Sequence, residues 1–347
     1  MKTLSMVALS ASLALAGVNS SDLLKEAKDA GLSAMPQGKE LKSLQIQKIK
    51  GMGVKAKKLL TKEQVELGKM LYFDPRISSS NLISCNTCHN LALGGADLVP
   101  AAIGHRWQAN PSALNSPTTY NSLFNDVQFW DGRAHNLGEQ AQGPIQSDVE
   151  MSAPPALVVE KITSIPEYVD AFKKAYGKDT KIDFKLIADT IAIFESTLNT
   201  PSRYDEFMNG NLKALNAKEQ EGFKLFLDKG CASCHSGVNL GGGMQPFGVA
   251  QPYKFASVGG FKGDKDGLVK VPTLRNIAET MPYFHNGQFW DLNEAIKEMG
   301  SIQLGIEISD ADAEKIKTFL KSLTGKKPQI IYPILPANTD KTPKPTF

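Results

Sequence analysis

Side chains able to bind metals are scarce in this chain. It has 5 histidines and 4 cysteines among 347 residues, so any metal chemistry rests on few residues. A charge excess is also missing. Lys and Arg number 39 against 36 Asp and Glu, a net charge of +3, and no block of one sign stands out. Composition therefore gives no case for nucleic acid as a partner. Beyond the N-terminus no segment approaches the ~18–20 apolar residues of a spanning helix. The opening residues, MKTLSMVALSASLALAGVNSS, are the exception. Lys2 is a minimal positive region, Leu4 to Ala16 is a mostly apolar run of 13 residues, and Ala14-Leu15-Ala16 offers a small-residue cleavage site. So short a run reads as a secretory signal rather than an anchor. Residues 1–16 are expected to be removed, leaving an exported, periplasmic protein without a membrane span. The rest, with 41% hydrophobic residues overall, is long enough for more than one core.

What is present is concentrated. All four cysteines fall in two copies of one pattern, CNTCH at 85–89 and CASCH at 231–235. Even cysteine counts in exported proteins first suggest disulfides. Here each pair is two residues apart and is followed at once by histidine, the arrangement of c-type haem attachment. Cys85 and Cys88, and Cys231 and Cys234, would form thioethers to the haem vinyls. His89 and His235 would be the proximal iron ligands. Two haem c groups are the expected cofactors. A redox dithiol needs no adjacent histidine. Two local zinc sites would each need a further ligand, and only three other histidines exist.

The doubling extends into the flanks, as duplication requires. TKEQVELGKMLYFD (61–74) precedes the first motif and AKEQEGFKLFLD (217–228) the second. Thr61 with Gln64, and Asn216 with Glu219, read as helix-capping pairs. Ten residues separate Asp74 from Cys85, against two between Asp228 and Cys231, and the longer spacer, RISSSNLIS, reads as a loop insertion. Downstream, SPTTYNSLFNDVQFWDGRAHNLGEQA (116–141) resembles VPTLRNIAETMPYFHNGQFWDLNEAI (271–296). Aligning Gly132 with Gly287 sets Trp130 opposite His285. SDADAEKIKTFLKSLTG (309–325) reads as a closing helix, with Ser309 and Asp312 as capping box, Gly325 as stop, and Ala313, Ile316, Phe319, Leu320 and Leu323 on one face. Strand patterns are weak. The expectation is a mainly α protein with two cytochrome-c-like haem domains, 61–205 and 206–325, related by duplication. A Lys-rich leader of undecided order (17–60) precedes them, and an extended Pro-rich tail (326–347) follows along the surface.

Function turns on the sixth iron ligands. An iron with two strong ligands moves electrons, and one that can lose a ligand can bind peroxide. Only His105, His135 and His285 remain as histidine candidates. His105 lies 16 residues beyond His89 in a stretch with Gly94, Gly95 and Gly104, which reads as a mobile loop carrying a removable ligand. Met299, after FWDLNEAIKE, stands where a cytochrome c domain places its distal methionine. His135 reads as a surface residue, and His285 has no assigned role.

With these residues in view, the chain resembles the bacterial dihaem cytochrome c peroxidases from about Thr61 onward. The resemblance rests on both CxxCH motifs and on HRWQANPSALNSPT, FNDVQFWDGRAHNLGEQAQGPI, VEM, VPTLRN, PYFHNGQFW and MGSIQLG. It implies that domain 61–205 holds the low-potential, peroxidatic haem, with His89 proximal and His105 displaceable. Domain 206–325 would hold the high-potential, electron-accepting haem between His235 and Met299. Trp130 would lie between the haems, and Gln140 and Glu150 would line the peroxide pocket, Glu150 as acid–base group. Asn115, Thr280 and Pro282 would match an interdomain calcium site. The implied partners are hydrogen peroxide, a small cytochrome c or cupredoxin as donor, and a second copy in a homodimer. A related enzyme that oxidises tryptophan residues of a partner protein has tyrosine as distal ligand of its second haem, and Met299 speaks against that activity. A pure electron carrier stays open at this point.

Overall fold

The structure is a computed structural model that describes residues 18–347. The expected signal segment, residues 1–16, lies outside the described residues. Helices dominate. In chain order they are α1 (Ser20–Asp29), α2 (Gly38–Gly51), α3 (Lys62–Phe73), α4 (Cys85–Cys88), α5 (Leu137–Gln146), α6 (Pro155–Thr163), α7 (Pro166–Tyr176), α8 (Phe184–Glu195), α9 (Arg203–Met208), α10 (Ala217–Asp228), α11 (Leu292–Met299) and α12 (Asp310–Lys321). One antiparallel ribbon joins β1 (Met244–Pro246) to β2 (Leu268–Lys270).

Each domain is built on one helix crossing, and both crossings use the same device. Gly68 of α3 lies against α8, where an added Cβ would stand 2.2 Å from the Thr190 oxygen. Gly222 of α10 lies against α12, where the corresponding distance to the Lys315 oxygen is 2.0 Å. Only glycine lets the backbones approach this closely. The surrounding apolar faces then close, with Phe223 stacked on Phe319 at 4.3 Å. Burying one such ring contributes about 1.5–3 kcal/mol. Both entry helices carry the expected reciprocal caps, Thr61 with Gln64 and Asn216 with Glu219.

The repeat persists in the loops. Asn121 and Asn276 both take a left-handed backbone and open short 3₁₀ turns. Both donate their amide NH₂ to the Thr200 hydroxyl, at 2.7 and 2.9 Å. The two halves therefore meet at one buried oxygen. The tight turns Gln128–Ala134 and Tyr283–Phe289 are also equivalent, each closed by one antiparallel bridge.

Several details differ from the sequence expectation. The leader is ordered: Leu23 and Ala27 of α1 enter the second core, whereas Ile49 and Met52, at the end of α2, pack with Leu137 and Ile193 of the first half. A buried Arg275–Asp205 pair also takes the Met35 N–H, which ties the leader in. The expected boundary at 205/206 falls inside α9, with Leu198 in the first core and Tyr204 in the second. At α12 the Ser309 hydroxyl accepts from Asp312 N at 3.1 Å, but Gly325 is not the stop. The helix ends at Lys321, and Gly325 N donates instead to Asn276. The tail is extended and runs back over the first domain, where Arg76 donates to the Pro336 oxygen at 2.7 Å and Thr346 N to the Ser79 oxygen at 3.0 Å.

Candidate functional site

The two thiol pairs stay apart, each with its own histidine, and the four thiols are not joined as disulfides. The first pair sits on α4, whose Ser84 and Thr87 form a reciprocal cap, and the second on a 3₁₀ turn. Burial pushes the Cys88 thiol up to about 12 and Cys231 to about 11, so these are not thiolates poised for metal or disulfide exchange. Both imidazoles are oriented alike. His89 Nδ1 lies 2.9 Å from the Pro117 oxygen, and His235 Nδ1 lies 3.0 Å from the Leu240 oxygen. A carbonyl partner fixes the proton on Nδ1 and leaves Nε2 as donor to a metal. Burial lowers both imidazole pKa values, which keeps the ligand neutral. The chemistry of this donor set fits haem c.

At the first site the His105 loop, the Cys88 thiol and Glu150 come together. Cys88 Sγ lies 3.6 Å from the Ile103 oxygen, and His105 Nδ1 lies 3.5 Å from Ser79 Oγ. Gly104 is a point of contact rather than a hinge. A Cβ there would stand 2.1 Å from the Val149 oxygen and 2.7 Å from Glu150 Cα. Arg106 and Trp107 take φ of 58° and 56°, so the segment after His105 is held in a strained backbone region. Burial raises the Glu150 carboxyl, opposed by a hydrogen bond from Ser147 and by the Arg133 charge. A carboxyl moved toward neutral pH in this way is suited to carry a proton. Gln140 lies half-buried on α5.

At the second site one cavity holds Cys231, Cys234, His235 and Met299 on its walls. Met299 ends α11 where the backbone widens into a π-helical turn over Gly300–Leu304. Single π turns inside helices are frequent at functional sites. Asn115, Thr280, Pro282 and Trp130 line the same cavity, so it reaches across the domain boundary. Trp130 is buried and donates its indole N–H to the Asn115 oxygen at 2.9 Å. Asn115 N donates to the His285 oxygen at 2.7 Å, and its amide NH₂ to the Val99 oxygen at 2.8 Å. His285 is 4% exposed, its ring edge-on to Trp130, and burial lowers it to about 4, so it is neutral. His135 is exposed.

Sequence reasoning missed three groups. The Lys161 ammonium is buried and donates to the Ser78 and Ser79 oxygens and to Asn81, fixing the insertion loop beside His105. Glu195 is buried behind Cys85, and Lys270 lines the second cavity. No spacing marks a lone Lys or Glu as buried, so only the fold reveals them.

Fold and site together define a protein with two c-type haem domains on one chain. Residues 62–213 match the family model for di-haem cytochrome c peroxidase, and residues 219–324 match that for cytochrome c. The chain is 49% identical to the cytochrome c551 peroxidase of Pseudomonas aeruginosa, over 82% of this chain and 86% of that protein. It is 45% identical to the cytochrome c551 peroxidase of Nitrosomonas europaea, over 81% and 86%. A solved MauG-like protein associated with microbial copper homeostasis shares the fold, with TM-score 0.66 and 24% identity over 77% of this chain and 90% of that one. The chain belongs to the di-haem cytochrome c peroxidase family and is an oxidoreductase of that kind, with haem c as cofactor. Among the described residues no helix is long and apolar enough to cross a membrane.

Proposed function

We propose that this chain reduces hydrogen peroxide in the periplasm, H2O2 + 2 e− + 2 H+ → 2 H2O, with single electrons from a small cytochrome c or cupredoxin. The observation that carries this reading is the contrast between the distal candidates. His105 sits on a strained loop pressed against Glu150, whereas Met299 is built into a helix end. The first domain (61–205 in the sequence division) is assigned to peroxide and the second (206–325) to electron entry. When bound, haem c supplies the iron that takes up peroxide and the route by which electrons reach it. His89 with His105 would hold the first haem, and His235 with Met299 the second.

Within that frame the chain's own groups have separable tasks. Withdrawal of His105 opens the first site. Glu150 accepts a proton from the inner peroxide oxygen and delivers it to the outer one, so that water leaves. Such help is worth roughly 10²–10⁴-fold. Gln140 lines the pocket wall. Trp130 occupies the space between the domains. Calcium would take neutral oxygens from Asn115, Thr280 and Pro282, completed by water as a hard cation permits, and would fix the interdomain loop. A homodimer is the proposed assembly.

Glu150→Gln is the test. Turnover of peroxide with a reduced small cytochrome should fall by roughly 10²–10⁴-fold while both haems stay attached by absorbance. Turnover within a few-fold of the parent would remove Glu150 from this role.

A further inference from the structure

Among the described residues, buried cations come with partners, with one exception. Arg275 pairs with Asp205, and Arg76 with Asp74. Lys161 donates to two carbonyls and an amide oxygen. Lys270 is 4% exposed and lines the second cavity. No hydrogen bond or ion pair from its ammonium is present among the described residues. An ammonium held at a cavity wall without a close counter-charge favours an anion in that cavity. Burial accordingly lowers this group to about 8, opposed only by the Asp131 charge. The chain thus places an unneutralised positive charge on the wall of a cavity whose other walls carry both thiols, His235 and Met299. A haem bound there brings two carboxylates that the chain must neutralise.

We propose that the Lys270 ammonium pairs with a propionate carboxylate of the second haem and so positions that haem against the interdomain contact. The proposal rests on the reading of Cys231, Cys234 and His235 as its attachment site. The location gives the pair a second consequence. Lys270 ends β2, and its backbone N–H donates to the Trp130 oxygen at 2.8 Å. Its charge also reaches His89, where it lowers the imidazole pKa. One cation therefore touches the second haem's carboxylate edge, the residue between the domains, and the field at the first proximal ligand. Neutralising a propionate removes negative charge near the second iron and favours its reduced form.

The test is spectroelectrochemical titration of both haems in holoenzyme carrying Lys270→Gln, Lys270→Arg or, as an exposed control, Lys265→Gln. In Lys270→Gln the second haem's potential should drop at mildly alkaline pH and recover toward the parent value on acidification, as the unpaired propionate takes up a proton. Lys270→Arg and Lys265→Gln should keep the parent profile. Loss of the second haem from Lys270→Gln but not from Lys270→Arg supports the same pairing. An unchanged potential in Lys270→Gln, a drop without pH dependence, or equal haem loss in both Lys270 variants overturns it. These readings need no turnover, so peroxide consumption by the parent protein judges the proposed function separately.

Discussion

The two CxxCH motifs present their histidines alike, yet they are anchored differently. The carbonyl that holds His235 lies five residues further on, inside the same turn. The carbonyl that holds His89 lies 28 residues further on, at Pro117, beyond the whole His105 loop. Two residues before Pro117 stands Asn115, gripped by Trp130 and by the His285 backbone from the other half. The proximal histidine of the second site is thus held locally, whereas that of the first is tied to the domain interface. Duplication supplied two equivalent frames, and divergence rewired one of them. The second domain and His89 are thus joined by a short covalent and hydrogen-bonded route through Asn115.

The largest way to break this contrast is to remove the ligand proposed for the second site. Met299→Leu is expected to lower the second haem's potential by on the order of a few tenths of a volt, within the ~0.8 V that axial ligands command. The first haem's spectrum should stay unchanged. Redox titration checks this, and an unchanged second potential assigns the ligand elsewhere.

Gly104→Ala acts on the other side of the comparison. The added methyl meets the Val149 oxygen at 2.1 Å, so the His105 loop must leave its seat on Glu150. The oxidised variant should show a high-spin first haem by electron paramagnetic resonance, while its second haem resembles the parent's. A low-spin first haem would show that the loop finds another seat.

The smallest effect is on stability. Glu195 is buried beside Thr119, 3.5 Å from its hydroxyl, and burial pushes its carboxyl from 4.5 up to about 8. The folded group keeps its proton where the unfolded chain has lost it. Stability therefore falls as pH rises from about 4.5 to about 8, and is flat beyond. Glu195→Gln should remove that decline, so the variant gains on the parent by on the order of a few kcal/mol at mildly alkaline pH and by little at acidic pH. Paired denaturant titrations across pH measure the difference, and a constant gap would contradict it.

What could be read from the sequence follows the physics of each element. The caps at Thr61 and Asn216, the apolar face of α12 and both CxxCH motifs are local patterns, and the structure contains them as read. The helix stop was misplaced because Gly325 serves a distant contact with Thr200 and Asn276, which no local rule encodes. The leader was opaque for the same reason: α1 and α2 are Lys-rich and gain their order from docking on two different cores. Gly104 read as freedom and turned out to be contact. Lys161, Glu195 and Lys270 carry no signal in spacing at all, since their burial is decided by residues far away in the chain.

The most direct test is a stoichiometric reductive titration with calcium present, stopped when only the second haem is reduced, and read by electron paramagnetic resonance and absorbance of the first. The expected result is conversion of the first haem from low-spin to high-spin as His105 withdraws, with peroxide consumed once that form appears. A first haem that stays low-spin at half reduction, with peroxide left intact, would contradict the proposed link between the second domain and the His105 loop.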